Sequence, residues 1–199
     1  QDKVVLQLQS LDAKVIGYLK YPLNEMGIKH IENEIKAIKI LSKLGIIDDY
    51  ILTDNYHKKP FVILKELDGK IGDVAKVFLD KILLSLEKEN SYPLLKHPRV
   101  LKLKELLTVN GMTKYTPMLE TICNSSSSSY KVVYEHGDFA PWNIIEVKNS
   151  FIPFDFEYFV EDGLEYFDIL KYYYQIGRLL ESKTGVDLFD FININIKEI

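Results

Sequence analysis

The chain has 199 residues, of which 47% are hydrophobic and 27% are charged, and its formal net charge is −4. This composition is typical of a globular protein with one core or two small lobes, and without a basic excess we expect no nucleic-acid partner. The single cysteine, Cys123, excludes an internal disulfide and a four-cysteine zinc site. No apolar run is long enough to span a bilayer, so we expect no membrane partner and a cytoplasmic location.

The first third of the sequence indicates a small antiparallel sheet with one helix. Residues 3–10 and 15–21 carry alternating apolar side chains and predict a β-hairpin. Residues 30–44 have apolar side chains at helical spacing and predict a helix. Residues 51–53 and 61–67 predict a second pair of strands. Near residues 67–72 the sequence changes from a strand-rich pattern to a helix-rich one.

The remainder of the chain predicts helices with one strand-rich insertion. The predicted helices span residues 73–88, 99–108, 113–123 and 163–183. The predicted strands span residues 131–138, 143–147 and 151–157, and the last two are joined by a turn at 148–150. These elements predict an α+β protein.

The strongest chemical signal is the segment HGDFAPWN at residues 136–143, which we call the catalytic loop. It joins two predicted strands, and Asp155 follows at the end of the next strand. Because the turn at 148–150 folds that strand back, we expect Asp155 to approach Asn143 and Asp138. Phosphoryl transfer uses such a set, with oxygen ligands for Mg²⁺ and a separate carboxylate that accepts the hydroxyl proton.

The pattern H-G-D-x-x-x-x-N followed by F-D-F resembles the catalytic and metal loops of the aminoglycoside phosphotransferase and choline kinase family, and it is similar to a protein-kinase signature. The resemblance implies that Asp138 is the catalytic base and that His136 supports the loop within the same catalytic set. It also implies that Asn143 and Asp155 bind Mg²⁺. A further aspartate, Asp168, resembles a family residue that braces the catalytic loop.

The resemblance also implies a two-lobe protein-kinase-like fold. A small antiparallel-sheet lobe would cover residues 1–67, and a mainly helical lobe would cover residues 68–199. The family's Gly-rich loop is absent from the sequence, and we expect it before Gln1, so that the small lobe is incomplete. The tail after Lys183 is short for the family.

The same resemblance assigns a nucleotide site to the small lobe. Lys20 stands in the place of the phosphate-binding lysine, and Glu34, on the following helix, is expected to pair with it. The backbone of Lys65, Glu66 and Leu67 is expected to contact adenine.

These inferences predict an ATP- and Mg²⁺-dependent kinase that phosphorylates a hydroxyl of a small molecule such as an aminoglycoside, a sugar or choline. Residues 157–168, which we call the acidic run, would either line a pocket for a cationic acceptor or form a solvated loop with core tyrosines. Three other functions stay open. The first is a protein kinase, against which the arginine of H-R-D is missing. The second is a non-catalytic pseudokinase or nucleotide-binding module, which the missing Gly-rich loop allows. The third is a metal-dependent hydrolase, against which the sequence has no histidine pair at ligand spacing.

Overall fold

The computed structural model describes residues 2–48, 51–71, 79, 82–84, 86–148 and 150–197. Its strands are β1 (Lys3–Gln9), β2 (Val15–Pro22), β3 (Ile51–Tyr56), β4 (Lys59–Lys65), β5 (Lys70–Ile71), β6 (Glu87–Pro93), β7 (Ser129–Glu135), β8 (Ile144–Val147), β9 (Ser150–Pro153) and β10 (Val160–Leu164). Its α-helices are α1 (Glu25–Lys43), α2 (Pro98–Val109), α3 (Thr116–Asn124), α4 (Phe167–Gln175) and α5 (Gly185–Ile196).

The first sheet has four antiparallel strands in the order β1-β2-β4-β3. The predicted hairpin is confirmed, because Lys3 pairs with Pro22 and the register continues to Gln9 and Val15 across one irregularity. The predicted second pair is also confirmed as β3 and β4, and β2 joins the two hairpins by pairing with β4.

Helix α1 follows β2 and precedes β3 in the chain, and it packs on the four-stranded sheet. Its buried face includes Ile31, Glu34, Ile38 and Leu41, which follow helical spacing. The helix begins earlier than predicted because the Asn24 side chain accepts a hydrogen bond from the backbone N–H of Gly27 and caps the first turn. The predicted helix therefore exists, but its start near residue 30 was wrong.

Two three-stranded antiparallel sheets form the rest of the strand structure. One has the order β5-β8-β9, in which Ile144 pairs with Pro153 and Val147 with Ser150, as the predicted hairpin requires. The other has the order β10-β7-β6. Strand β5 pairs with β8, so residues 70–71 already belong to the same sheet as the β8–β9 hairpin. The boundary between the two lobes near residue 67 stays a prediction.

Two helix predictions need correction. The helix predicted from residue 163 begins only at Phe167, since Val160–Leu164 pairs with β7 as β10, and a π-helical turn, Ile176–Leu180, follows α4. The helix predicted at 73–88 falls largely outside the described residues. Its last two residues, 87 and 88, belong to β6. Just before this strand, Leu86 O already accepts a hydrogen bond from the N–H of Tyr134 in β7.

The buried apolar residues form two clusters. One joins α1 and β4 to Phe156 and Phe159, and the other surrounds Phe139, Ile144 and the inner face of α4. The first cluster therefore includes the segment after β9, and the second includes the catalytic loop. Among the described residues, no helix is long and apolar enough to cross a membrane.

Candidate functional site

The catalytic loop follows β7 and is held from below by Asp168, near the start of α4. The Asp168 carboxylate accepts hydrogen bonds from the backbone N–H groups of His136, at 2.7 Å, and Gly137, at 3.0 Å. Gly137 has φ +79°, and a Cβ at this position would lie 2.2 Å from Tyr158 O. The loop therefore needs glycine here, and Asp168 makes the contacts that a bracing residue requires.

His136 is a buried, neutral part of this loop. Its Nε2 donates to Phe154 O at 2.8 Å, and its Nδ1 accepts from the N–H of Asp138 at 3.3 Å. Burial against the rings of Phe139 and Phe156 lowers its pKa to about 4. Both ring nitrogens are thus engaged with backbone groups, which fits the predicted supporting role of His136.

Burial has the opposite effect on Asp168. It raises the pKa of this carboxyl to about 7, although the two backbone N–H groups favour the ionised form. The Asp168 carboxyl therefore changes its protonation state near pH 7. Its hydrogen bonds from the two N–H groups are strongest above this pH, because the carboxylate is then ionised.

The Asp138 carboxylate lies at the end of the loop and is about a quarter exposed (27%). Asn143 Nδ2 donates to Asp138 O at 2.8 Å and approaches its Oδ2 at 3.3 Å. Two groups of α4 contact the other oxygen: Lys171 Nζ and Gln175 Nε2 each lie 3.2 Å from Asp138 Oδ1. The carboxylate is thus oriented by three side chains.

The β8–β9 hairpin folds the chain so that Asn143 lies opposite Phe154, the residue before Asp155. The N–H of Phe154 donates to Asn143 O at 3.0 Å, which extends the hairpin register by one pair. Asp155 follows with φ +65°, a left-handed conformation that turns the chain away from the strand. Strand β9 ends at Pro153, so Asp155 lies after the strand and not at its end. Among the described residues, no hydrogen bond occupies Asn143 Oδ1.

Lys20 joins the first sheet to Asp155. Its Nζ lies 2.7 Å from Glu34 Oε1 and 2.6 Å from Asp155 Oδ1. Burial alone would lower the pKa of Lys20, but the two carboxylates raise it above its ordinary value. Burial would raise the pKa of Asp155, but Lys20 and Lys3 hold it below its ordinary value. Lys20 and Asp155 are therefore an ionised pair, and the predicted contact between Lys20 and Glu34 is present.

Two further residues tie the small-sheet region to the segment after Asp155. Lys3 pairs with Glu157 and lies 4.0 Å from Asp155 Oδ1. Asn33 Nδ2 donates to Glu157 O at 3.0 Å and to Phe159 O at 2.9 Å. The backbone after Asp155 is thus fixed directly by α1.

A cleft of about 350 Å³ opens beside the Lys20–Asp155 pair. It falls within the size range of small-ligand sites. Its lining is mainly apolar. The lining residues are Val5, Tyr18, Lys20, Leu64, Lys65, Glu66, Leu67, Gly69, Ile71, Ile145, Phe154 and Asp155. We call this space the cleft.

The segment Lys65–Leu67 lines the cleft, but its backbone groups are not equally available. The N–H of Glu66 donates to Ile16 O at 3.1 Å. In the described part of the chain, no hydrogen bond is made by the N–H of Leu67. Of the three residues predicted to contact adenine, Leu67 therefore offers a free donor, and Glu66 does not.

Sequence reasoning missed Lys171 and Gln175, although a signal existed. They lie three and seven residues after Asp168, and such positions share one face of a helix. Since Asp168 was expected beneath the catalytic loop, the same helix face could have been followed to these two residues. Lys3 and Asn33 had no comparable signal, because their contacts depend on tertiary structure alone.

The described residues contain no group of three or more His, Cys, Asp or Glu side chains arranged to hold a metal ion. Magnesium bound through nucleotide phosphates needs only one or two protein ligands. Asn143 and Asp155 are the pair that fits this requirement, with one amide oxygen and one ionised carboxylate.

The chain is similar to the structure of the aminoglycoside phosphotransferase APH(2")-IIia with GDP and kanamycin, with 13% identity and a TM-score of 0.50 over 96% of this chain and 82% of that chain. A glucosamine kinase is matched with 14% identity and a TM-score of 0.39 over 96% of this chain and 65% of its own. No protein-family model matches, and no curated protein sequence matches significantly.

The first of these similarities bears on the fold alone. Together with the antiparallel sheets and the helical region described above, it shows a mixed α+β chain with a two-lobe kinase-like fold. The predicted fold class is therefore confirmed.

Proposed function

We propose that this chain belongs to the aminoglycoside phosphotransferase and choline kinase family and transfers the γ-phosphate of ATP to a hydroxyl of a small molecule. The observation that supports this most directly is the contact between Lys20 and Asp155, 2.6 Å apart beside an apolar cleft. It unites a buried cation suited to phosphates with a carboxylate suited to Mg²⁺. A cytoplasmic location, where ATP is supplied, accompanies the proposal.

In this proposal the cleft binds the nucleotide. Adenine lies against the apolar lining, with the N–H of Leu67 as a donor, and Lys20 contacts the phosphates while Glu34 orients it. Asn143 and Asp155 hold Mg²⁺, which neutralises charge on the phosphates when bound. The kanamycin and GDP in the similar structure belong to that protein, and they support only a nucleotide and an alcohol as ligand classes here.

Asp138 is proposed as the catalytic base, and it acts on the acceptor hydroxyl. Within the part of the chain that the structure describes, its Oδ2 has only the 3.3 Å contact with Asn143, so it can accept the hydroxyl proton. His136 keeps the loop in shape and takes no proton, because both of its nitrogens already bind backbone groups. Asp138 thus orients the hydroxyl in line with the γ-phosphate.

One observation favours the alternative of a non-catalytic nucleotide-binding module. Asp138 Oδ1 is engaged by both Lys171 and Gln175, so this oxygen already has two partners and is less available to a substrate hydroxyl. The alternative predicts nucleotide binding without transfer, so the two functions are separated by one assay.

The test is Mg²⁺-dependent ATP consumption with pooled aminoglycosides, sugars, choline and amino alcohols, alongside nucleotide binding by calorimetry. We expect stimulation by one pool and a loss of roughly a hundredfold to ten-thousandfold in Asp138→Asn, since general-base groups contribute about that much. Nucleotide binding should be retained in this variant. Full activity in Asp138→Asn would disprove the base assignment, and binding without any stimulation would establish the module instead.

A further inference from the structure

Four residues of the acidic run, Leu164, Glu165, Tyr166 and Asp168, line a cavity of about 270 Å³, but the cleft beside Lys20 and Asp155 is lined by none of them. Three of its carboxylates form ion pairs: Glu157 with Lys3, Glu161 with Lys36, and Asp162 with Lys88. The other two, Glu165 and Asp168, accept hydrogen bonds from backbone N–H groups of β7 and the catalytic loop. Each carboxylate already has a protein partner, and three of the five are balanced by a lysine, so little of the run's negative charge is left for a cationic acceptor.

The charged group that contacts the proposed base is instead a cation. Lys171 Nζ lies 3.2 Å from Asp138 Oδ1 and 3.4 Å from Gly137 O, and its side chain is one third exposed (33%). The other α4 group at this oxygen, Gln175, is uncharged. A hydroxyl that reaches Asp138 therefore meets a carboxylate whose charge is balanced by an ammonium group.

We propose that the acceptor is an alcohol without a positive charge next to the reacting hydroxyl, such as a neutral sugar or polyol, and that Lys171 selects for it. The proposal rests on the proposed phosphotransferase function. An ammonium group on the carbon beside the reacting hydroxyl would come within several ångströms of Lys171. At this separation the repulsion by Lys171 offsets the attraction exerted by the Asp138 carboxylate, and relative to a site without the Lys171 charge it reduces binding by about tenfold. The ammonium group therefore gains no net attraction from the pair and still loses hydration on binding.

The experiment compares acceptors that differ by a single ammonium group: glucose with glucosamine, galactose with galactosamine, and inositol with inosamine. For each pair, kcat/KM is measured at pH 7 in the wild type, Lys171→Gln and Lys171→Glu. Lys102→Gln, which removes an exposed lysine of α2 paired with Glu105, is the matched control. The ratio within a pair cancels any effect of Lys171 on the orientation of Asp138.

We expect the wild type and Lys102→Gln to prefer the neutral member of a pair, Lys171→Gln to reduce the preference by about tenfold, and Lys171→Glu to reverse it. A wild-type preference for the ammonium members, or a ratio unchanged in both Lys171 variants, would overturn the proposal. If no acceptor stimulates ATP consumption, the proposed function fails separately. Binding of the same pairs, measured by saturation-transfer NMR, then decides: selective binding of neutral members that depends on Lys171 supports the inference, and any other pattern overturns it.

Discussion

His136 and Asp168 show how single buried groups fix the catalytic loop. The neutral imidazole of His136 donates to Phe154 O and accepts from the N–H of Asp138, so it links β9 to the residue proposed as base. Asp168 binds the two N–H groups at the start of the loop. Because both side chains are fully buried, the pKa of His136 is lowered and the pKa of Asp168 is raised. The first shift makes the fold less stable as pH falls, and the second makes it less stable as pH rises.

The pKa of His136 gives a prediction about acid stability. It falls from 6.5 in the unfolded chain to about 4 in the folded protein, so between these values the unfolded state binds one more proton. Stability is therefore lost as pH falls through this window, by about 3 kcal/mol at 1.4 kcal/mol per pKa unit. Asp168, with a raised pKa, loses stability as pH rises instead.

The variant His136→Gln isolates the histidine contribution, because its amide can still donate to Phe154 O and it does not titrate. We expect the free energy of unfolding of the wild type to fall relative to that of the variant by about 3 kcal/mol from pH 6.5 to pH 4. Urea denaturation at several pH values measures this difference. Parallel pH profiles for the two proteins would show that His136 is not buried in the neutral form.

Much of the site could be predicted at this scale because its residues lie in one short segment. Asp138 and Asn143 lie in one loop and are in contact, and the predicted hairpin after Asn143 is present, so local spacing was sufficient to predict these two features. Lys171 and Asn33 reach the site from helices, and their roles depend on how those helices pack. The order of residues along the chain does not contain that information.

Helix α1 is the element that connects the first sheet to the segment after Asp155. Neighbouring residues on α1 make different contacts: Glu34 pairs with Lys20, and Asn33 holds the carbonyls of Glu157 and Phe159. The helix therefore fixes both the proposed phosphate-binding lysine and the backbone that follows the proposed metal ligand. A change in α1 should affect Mg²⁺ binding without touching Asp155.

Asn33→Asp tests this connection, because it keeps the size of the side chain and removes the donor. We expect an increase of several-fold in the Mg²⁺ concentration that gives half-maximal ATP consumption, and faster hydrogen exchange at residues 155–159. The stability loss should be about 2 kcal/mol, for two hydrogen bonds of about 1 kcal/mol each. Asn55→Ala, at an exposed position of β3, is the control. An unchanged Mg²⁺ requirement in Asn33→Asp would show that α1 does not position the metal ligand.

Sequence reasoning missed helix α5, the short strand β5 and the two polar edge strands β6 and β10. Strand β6, EKENSYP, and strand β10, VEDGL, flank β7 and carry few apolar side chains. Edge strands are held largely by backbone hydrogen bonds to one neighbour, so alternating burial is weak in them. The hairpins β1–β2 and β8–β9 and helix α1 were predicted because each buries a periodic apolar face.

At the scale of the whole molecule, charged contacts connect the first sheet to the segment that follows β9. Lys20 pairs with Asp155, and Lys3 pairs with Glu157, at one end of the cleft. A nucleotide would compete with Asp155 for Lys20, since its phosphates need the same cation. Without Mg²⁺, the released Asp155 carboxylate would then face the phosphates and repel them.

Nucleotide and Mg²⁺ should therefore bind cooperatively, and their joint binding should stabilise the fold. A ligand at a hundredfold excess over its Kd adds about 2.7 kcal/mol, which corresponds to a rise in Tm of roughly 5–10 °C for a chain of this size. We expect thermal unfolding with ADP and Mg²⁺ together to show this shift, and either ligand alone to give much less. In Asp155→Asn the repulsion is gone, so ADP alone should stabilise more than it does in the wild type, and Mg²⁺ should add little. Additive shifts in the wild type would contradict the competition for Lys20, because independent sites would leave the Lys20–Asp155 pair intact when the nucleotide binds.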